Sequence, residues 1–193
     1  MGQKNKKQLI PNRRRLTILE VAQLKREKQA PFTSVFDPIK YIEQTLPKEI
    51  KGFDFDYWSE HPEFQKRPER RAFVHFAEDG TIELVVREEV MEGAYRGDNE
   101  YRFALAHEIG HVYLHRTKAR NILSRHSVGS SDQYADDPIL EYEANLFGGA
   151  LIAPPMGIGV NSTLFDVRTR FRCSNDVANK ALIDADFWRK QGK

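Results

Sequence analysis

The sequence predicts an α+β domain. Three observations predict it. Segments with helix caps and apolar stripes occupy the first fifty residues. Two β-like runs, 72–77 and 81–87, are joined by the turn Glu78-Asp79-Gly80 and read as a hairpin. Helical segments then return and continue to the end. Helices, then a small antiparallel sheet, then helices is the α+β order, not the strand–helix alternation of a parallel α/β sheet. With 193 residues, 40% of them hydrophobic and 11% aromatic, the chain can bury the core of one domain, with or without an appendage.

The elements follow in order. Residues 1–15 read as a tail. Thr17 and Glu20 make a capping-box pattern that opens a helix over 18–29, stopped by Pro31. Asp37-Pro38 starts a second helix, with Ile39, Ile42 and Leu46 as its buried stripe and Pro47 as its end. Residues 47–70 mix charge, proline and aromatics and yield no assignment. After the hairpin, Asp98 or Asn99 caps a helix that covers 101–115. Residues 117–136 hold Gly, Ser and Asp with few apolar positions and read as a mobile loop. Asp137-Pro138 opens a helix over 138–153, closed by Pro154-Pro155. A helix over 162–170 and another from the N-cap Ser174 to about residue 190 complete the chain.

The helix over 101–115 carries His107-Glu108-Ile109-Gly110-His111, an H-E-x-x-H pattern. Histidines four apart lie on one helix face, one turn apart, so both imidazoles can converge on one zinc ion. The glutamate between them can take the proton of an attacking water. A catalytic zinc site needs a third protein ligand and one open position. The helix over 138–153 offers Glu141 and Glu143, which lie about 200° apart around the axis, so only one of them can serve. Glu141 is favoured. Asn145 lies one turn on and can accept the second ring N–H of a ligating histidine. Glu143 is the alternative, otherwise a solvated glutamate of the first turn. Gly110 and the pair Gly148-Gly149 weaken their helices, as is tolerable where two backbones pass closely. His115 reads as a helix-end histidine, His75 as a structural strand residue, and His61 has no motif around it. His126 and Tyr134 are candidate oxyanion donors, with a solvent-exposed loop histidine and tyrosine the favoured reading of each.

Together these residues resemble the ImmA/IrrE family of metallopeptidases. The lead-in and first motif run Arg102-Phe103-Ala104-Leu105-Ala106-His107-Glu108-Ile109-Gly110-His111. The second runs Glu141-Tyr142-Glu143-Ala144-Asn145-Leu146-Phe147-Gly148-Gly149-Ala150-Leu151-Ile152-Ala153-Pro154. The resemblance covers about residues 70–155 well and the flanks in outline. Phe147-Gly148-Gly149 stands where the family usually has Phe-Ala-Ala, and Leu151-Ile152-Ala153-Pro154 where it has Leu-Leu-Met-Pro. These departures touch packing, not chemistry. The resemblance implies a small zincin-like core over 31–158, behind a basic tail and helix over 1–30 and ahead of a C-terminal helical segment over 159–193. It implies Zn2+ on His107, His111 and Glu141, with Glu108 catalytic, in a zinc metallo-endopeptidase. The expected substrate is a regulatory protein such as a helix-turn-helix transcriptional repressor, encoded on a mobile element or in a stress-response locus. The alternatives are a metal-containing binding module that cuts nothing, or a toxin paired with a helix-turn-helix antitoxin.

Charge says less. Residues 1–30 hold nine Lys or Arg against Glu20 and Glu27, a balance of +7, and the rest of the chain carries −5. Such an arm can bind nucleic acid or an acidic protein, but a solvated terminus is the favoured reading. The last two helices, with Arg168, Arg170, Arg172 and Lys180, could form a helix-turn-helix; two helices packing on the core is favoured over that. The single cysteine, Cys173, forms no internal disulfide. No secretory signal and no membrane-spanning run is visible, so a cytoplasmic location is expected.

Overall fold

The computed structural model describes residues 9–77, 79–123 and 137–193, with the backbone alone over 117–123. The architecture is α+β. Its elements are α1 (Asn12–Glu27), α2 (Pro38–Gln44), α3 (Leu46–Glu49), β1 (Phe53–Tyr57), α4 (Pro62–Lys66), β2 (Ala72–Phe76), β3 (Ile82–Val86), α5 (Glu88–Tyr95), α6 (Asn99–Leu123), α7 (Pro138–Ile152), α8 (Leu164–Phe171) and α9 (Asn175–Lys190).

The sheet differs from the expected antiparallel one. Its order is β1-β3-β2, with β2 and β3 antiparallel and β1 added parallel to β3. The added strand comes from the segment that the sequence left unassigned. Its Asp54 and Asp56 are exposed, and such residues disguise a strand. The central strand β3 is buried on both faces. Ile82, Leu84 and Val86 enter the main core, while Val85 joins Phe64 of α4 and Phe73 of β2 in a second small cluster. The short helix α4 therefore closes the sheet face that the longer helices do not reach.

The N-terminal helix also differs. It begins at Asn12, not at residue 18, so 12–15 are no tail. Thr17 caps nothing. Its hydroxyl donates to the carbonyl of Arg13 one turn back, within the helix. The helix buries Ile18, Leu19, Ala22 and Arg26 and packs on α7. Arg26, fully buried, donates to the carbonyls of Leu151, Pro31 and Ser34, satisfying acceptors at the end of α7 and in the turn after α1. Pro47 does not end a helix. It sits in the first turn of α3, where its missing N–H costs nothing.

Downstream, Asp98 is the cap of α6, its Oδ1 accepting from the backbone N–H of Glu100 at 2.8 Å and Tyr101 at 3.3 Å. That helix continues to Leu123, into the stretch expected as a loop; 124–136 lie outside the described residues. A further helix, α5, precedes it and was not expected. Asp137 caps α7 and Ser174 caps α9, as the sequence predicts. Between α8 and α9, Arg172 turns the chain with φ 48°. These last two helices pack on the rest of the fold: α9 lies against α7, and Arg15 of α1 pairs with Asp184 at 2.6 Å.

Candidate metal centre

Two packed helices, α6 and α7, build the site. On α6, Leu105, Ala106, Ile109 and Val112 are buried, and this apolar stripe fixes the helix's rotation. That rotation turns His107, Glu108 and His111 toward a cleft of about 440 Å3 between α6 and β2. The two backbones come unusually close. A Cβ on Gly110 would lie 3.0 Å from the Cα and carbonyl oxygen of Ala144, and one on Gly148 would lie 2.8 Å from the backbone nitrogen of His107. Both glycines are therefore needed for the approach. Gly149 is not, since nothing lies within 4 Å of its Cβ position.

Close approach delivers Glu141 to the histidines. The Nε2 atoms of His107 and His111 are 2.9 Å apart. Glu141 Oε2 is 3.3 Å from the first and Oε1 3.3 Å from the second. One donor atom from each of the three residues lies within 4.8 Å of the other two. Each imidazole is also held from behind. Asn145 Oδ1 is 3.2 Å from His107 Nδ1, and His115 Nδ1 is 2.9 Å from His111 Nδ1. The Nδ1 atoms are thus engaged elsewhere and the Nε2 atoms are the ones that converge. Two imidazole nitrogens and a carboxylate oxygen form a donor set suited to a divalent transition metal, with ligand bonds of about 2.0–2.2 Å for zinc. The residues present fit such an ion.

The electrostatics agree with a site that attracts positive charge. Burial opposes protonation of His107, but the hydrogen bond to Glu141 and the charges of Glu108 and Glu141 outweigh it, so the imidazole titrates above its ordinary value. Burial likewise acts to raise the Glu141 carboxyl, yet the bonds to His107 and His111 prevail and hold it well below the usual carboxylate range. Glu108, 8% exposed, lines the cleft beside the histidines.

A family model described as the IrrE N-terminal-like domain, a peptidase domain, matches residues 69–182. The chain belongs to this peptidase family. The matched stretch runs from just before β2 into α9, so it contains the whole His107–His111–Glu141 cluster. Neither the search of curated proteins nor that of solved structures found a match.

The remaining sequence candidates fall as follows. Glu143 lies away from the cluster and is no solvated glutamate. It is 2% exposed, takes two hydrogen bonds from Arg14 at 2.7 and 2.5 Å, and lies 3.3 Å from His115 Nε2. Nor does His115 sit at a helix end. Its helix runs two turns further, and the ring is 1% exposed. His61 caps α4 by accepting from the Glu63 N–H, and His75 of β2 is among the residues that line the cleft. His126 and Tyr134 lie outside the described residues. The sequence reading missed Arg14, His115 and Glu143 as one group. Only one of the three carried a local signal: His115 lies one turn beyond His111, on the same helix face.

Proposed function

We propose that this peptidase is a zinc-dependent endopeptidase with a zincin-like core, in which His107, His111 and Glu141 hold the metal and Glu108 handles the proton. The observation that carries this reading is the convergence of both Nε2 atoms and the Glu141 carboxylate beside Glu108. Bound there, zinc would supply a Lewis acid that acidifies water and polarises the scissile carbonyl. The Glu108 carboxylate accepts a proton from the attacking water and returns it to the departing amine. Asn145 and His115 orient the imidazoles so that neither rotates away.

The cleft supports an extended peptide as the occupant. Strand β2 is a sheet edge and forms one wall. The bonds from Arg87 N–H to Arg71 C=O and from Ala77 N–H to Thr81 C=O set the phase of the β2–β3 ladder. By the alternation of an antiparallel pair, the backbone groups of Ala72, Val74 and Phe76 then face away from β3. A substrate strand can bond to them and lie across the histidines. The substrate we infer is a regulatory protein, such as a helix-turn-helix repressor, met in the cytoplasm. The resemblance of the two motifs supports that choice.

The test is cleavage of the helix-turn-helix protein encoded beside this gene by the zinc-loaded chain and by Glu108→Gln. Cleavage by the wild type alone is expected. Cleavage by neither overturns the reading for that partner and leaves a binding role. Cleavage by both removes Glu108 from its part.

A further inference from the structure

We infer that Arg14, through Glu143 and His115, sets the tautomer and orientation of His111, so that the N-terminal helix is a working part of the metal centre. This rests on the proposed zinc site. Arg14 lies 55 residues before the matched domain begins at residue 69.

The local sequence first marks these arginines as unusual. The first turns of α1 hold Arg13, Arg14 and Arg15 and no acidic residue. Cations there oppose the helix dipole, which favours anions at this end. Two of the three are compensated by distant carboxylates, Arg15 by Asp184 and Arg14 by Glu143. The Arg14 contact is two-pronged, with Nε donating to Oε1 and Nη2 to Oε2, the geometry that best fixes a carboxylate plane. The Glu143 side chain is 3% exposed and that of His115 is 1% exposed, so water does little to relax this arrangement.

A metal-binding His111 then orders the protons along these contacts. A His111 that offers its Nε2 lone pair to a metal carries its proton on Nδ1. That proton faces His115 Nδ1 at 2.9 Å, which must therefore accept. The proton of a neutral His115 is then on Nε2, 3.3 Å from the Glu143 carboxylate, which accepts it and is itself neutralised by Arg14. In the opposite tautomer His115 would present Nδ1–H to His111 Nδ1–H, donor against donor, with Nε2 turned lone pair first to a carboxylate. Glu143 thus selects the arrangement in which His111 is a ligand. Asn145 does the same for His107 directly, through one amide oxygen. Arg14 and Glu143 are positioning residues, since neither reaches the cluster itself.

The experiment measures zinc affinity of the full chain by chelator competition, with folding followed by circular dichroism. Glu143→Gln keeps the shape but removes the charge that fixes the His115 proton, and is expected to weaken zinc binding several-fold, less than loss of a ligand's own partner would. Arg14→Met is expected to weaken it less, because the Arg14 side chain is 34% exposed and water can replace part of its role. Arg14→Lys should recover part of that loss, as a filler of space alone would not. In the zinc-loaded wild type, nitrogen-15 labelled histidines report the tautomers without any substitution: His115 protonated on Nε2 and His111 on Nδ1 are expected. A His115 proton on Nδ1 overturns the inference, as does a folded Glu143→Gln chain with affinity within twofold of wild type. If Glu143→Gln does not fold, the wild-type tautomers decide. Glu141→Ala separates the two levels. Wild-type affinity in that variant, or no zinc uptake by the wild type, overturns the metal site and the inference with it. Loss of binding in Glu141→Ala with none in Glu143→Gln overturns the inference alone.

Discussion

A Cβ on Gly148 of α7 would lie 2.8 Å from the backbone nitrogen of His107 on α6. The obstacle is backbone, so it cannot rotate away as a side-chain tip would. Gly148→Ala must push the two helices apart, and the Glu141 carboxylate moves away with its helix. A loss of about 1–3 kcal/mol is expected, as for overpacking a tight interior. In a domain of this size that is a melting shift of roughly 2–4 °C per kcal/mol. Gly149→Ala is the control. Its Cβ enters open space, and alanine gains up to about 1 kcal/mol of helix propensity. Thermal melts of the two variants should move in opposite directions.

Asn145→Ala leaves His107 Nδ1 without its amide acceptor while altering no candidate ligand. Zinc affinity by chelator competition should fall by about 10–100-fold, the usual cost of losing the partner of a ligating histidine. Asn145→Asp retains an acceptor oxygen and should keep most of the affinity. Equal affinities in wild type and Asn145→Ala would exclude the hydrogen bond from any part in holding the metal.

Much of this centre is legible in the sequence because it is local. His107 and His111 meet through helix geometry alone, and Asn145 follows Glu141 by one turn. Interior glycines at 110 and 148 advertise a close crossing because nothing else justifies their cost, although Gly149, which looks the same in the sequence, is in open space. The less legible parts depend on partners far along the chain. Arg14 reads as one more charge in a basic run until Glu143, 129 residues away, is seen beside it. His115 reads as a helix-end residue because the polar stretch after it hides the helix's continuation to Leu123. Strand β1 escapes notice because its alternation is phenylalanine with aspartate, and its parallel partner lies beyond β2.

Arg172 stabilises the α8–α9 turn with its carbonyl but strains it with its side chain. Its φ of 48° is a conformation that costs a residue with a Cβ about 1–2 kcal/mol. The carbonyl oxygen accepts from Arg102 Nη1 at 2.5 Å, and this bond survives any substitution at the site. Arg172→Gly should therefore stabilise the fold. Greater freedom of glycine in the unfolded chain offsets part of the gain, leaving about 0.5–1 kcal/mol. Arg102→Met should do the opposite. It removes the donor to Arg172 and to the buried Phe36 carbonyl, at about 1–3 kcal/mol for each acceptor left unpaired. Urea midpoints of the two variants should bracket that of the wild type.

Glu49 gives the fold an acid-sensitive joint between α1, α3 and α6. It takes Lys25 Nζ at 2.5 Å and the Tyr113 hydroxyl at 2.8 Å, and pairs with Lys28 Nζ at 2.6 Å. Burial acts to raise its carboxyl, but these hydrogen bonds outweigh burial and hold it below the usual carboxylate range. A carboxyl with a lower pKa folded than unfolded contributes stability that is complete above the unfolded value, about 4.3. That contribution is lost as pH falls through the folded value. Glu49→Gln lacks it at every pH. The variant should melt below wild type at pH 7, and the gap should close progressively as the pH drops under about 4.3. Paired melts from pH 7 to pH 3 check this, and a gap that stays constant across the range would show that the Glu49 charge contributes nothing to the joint.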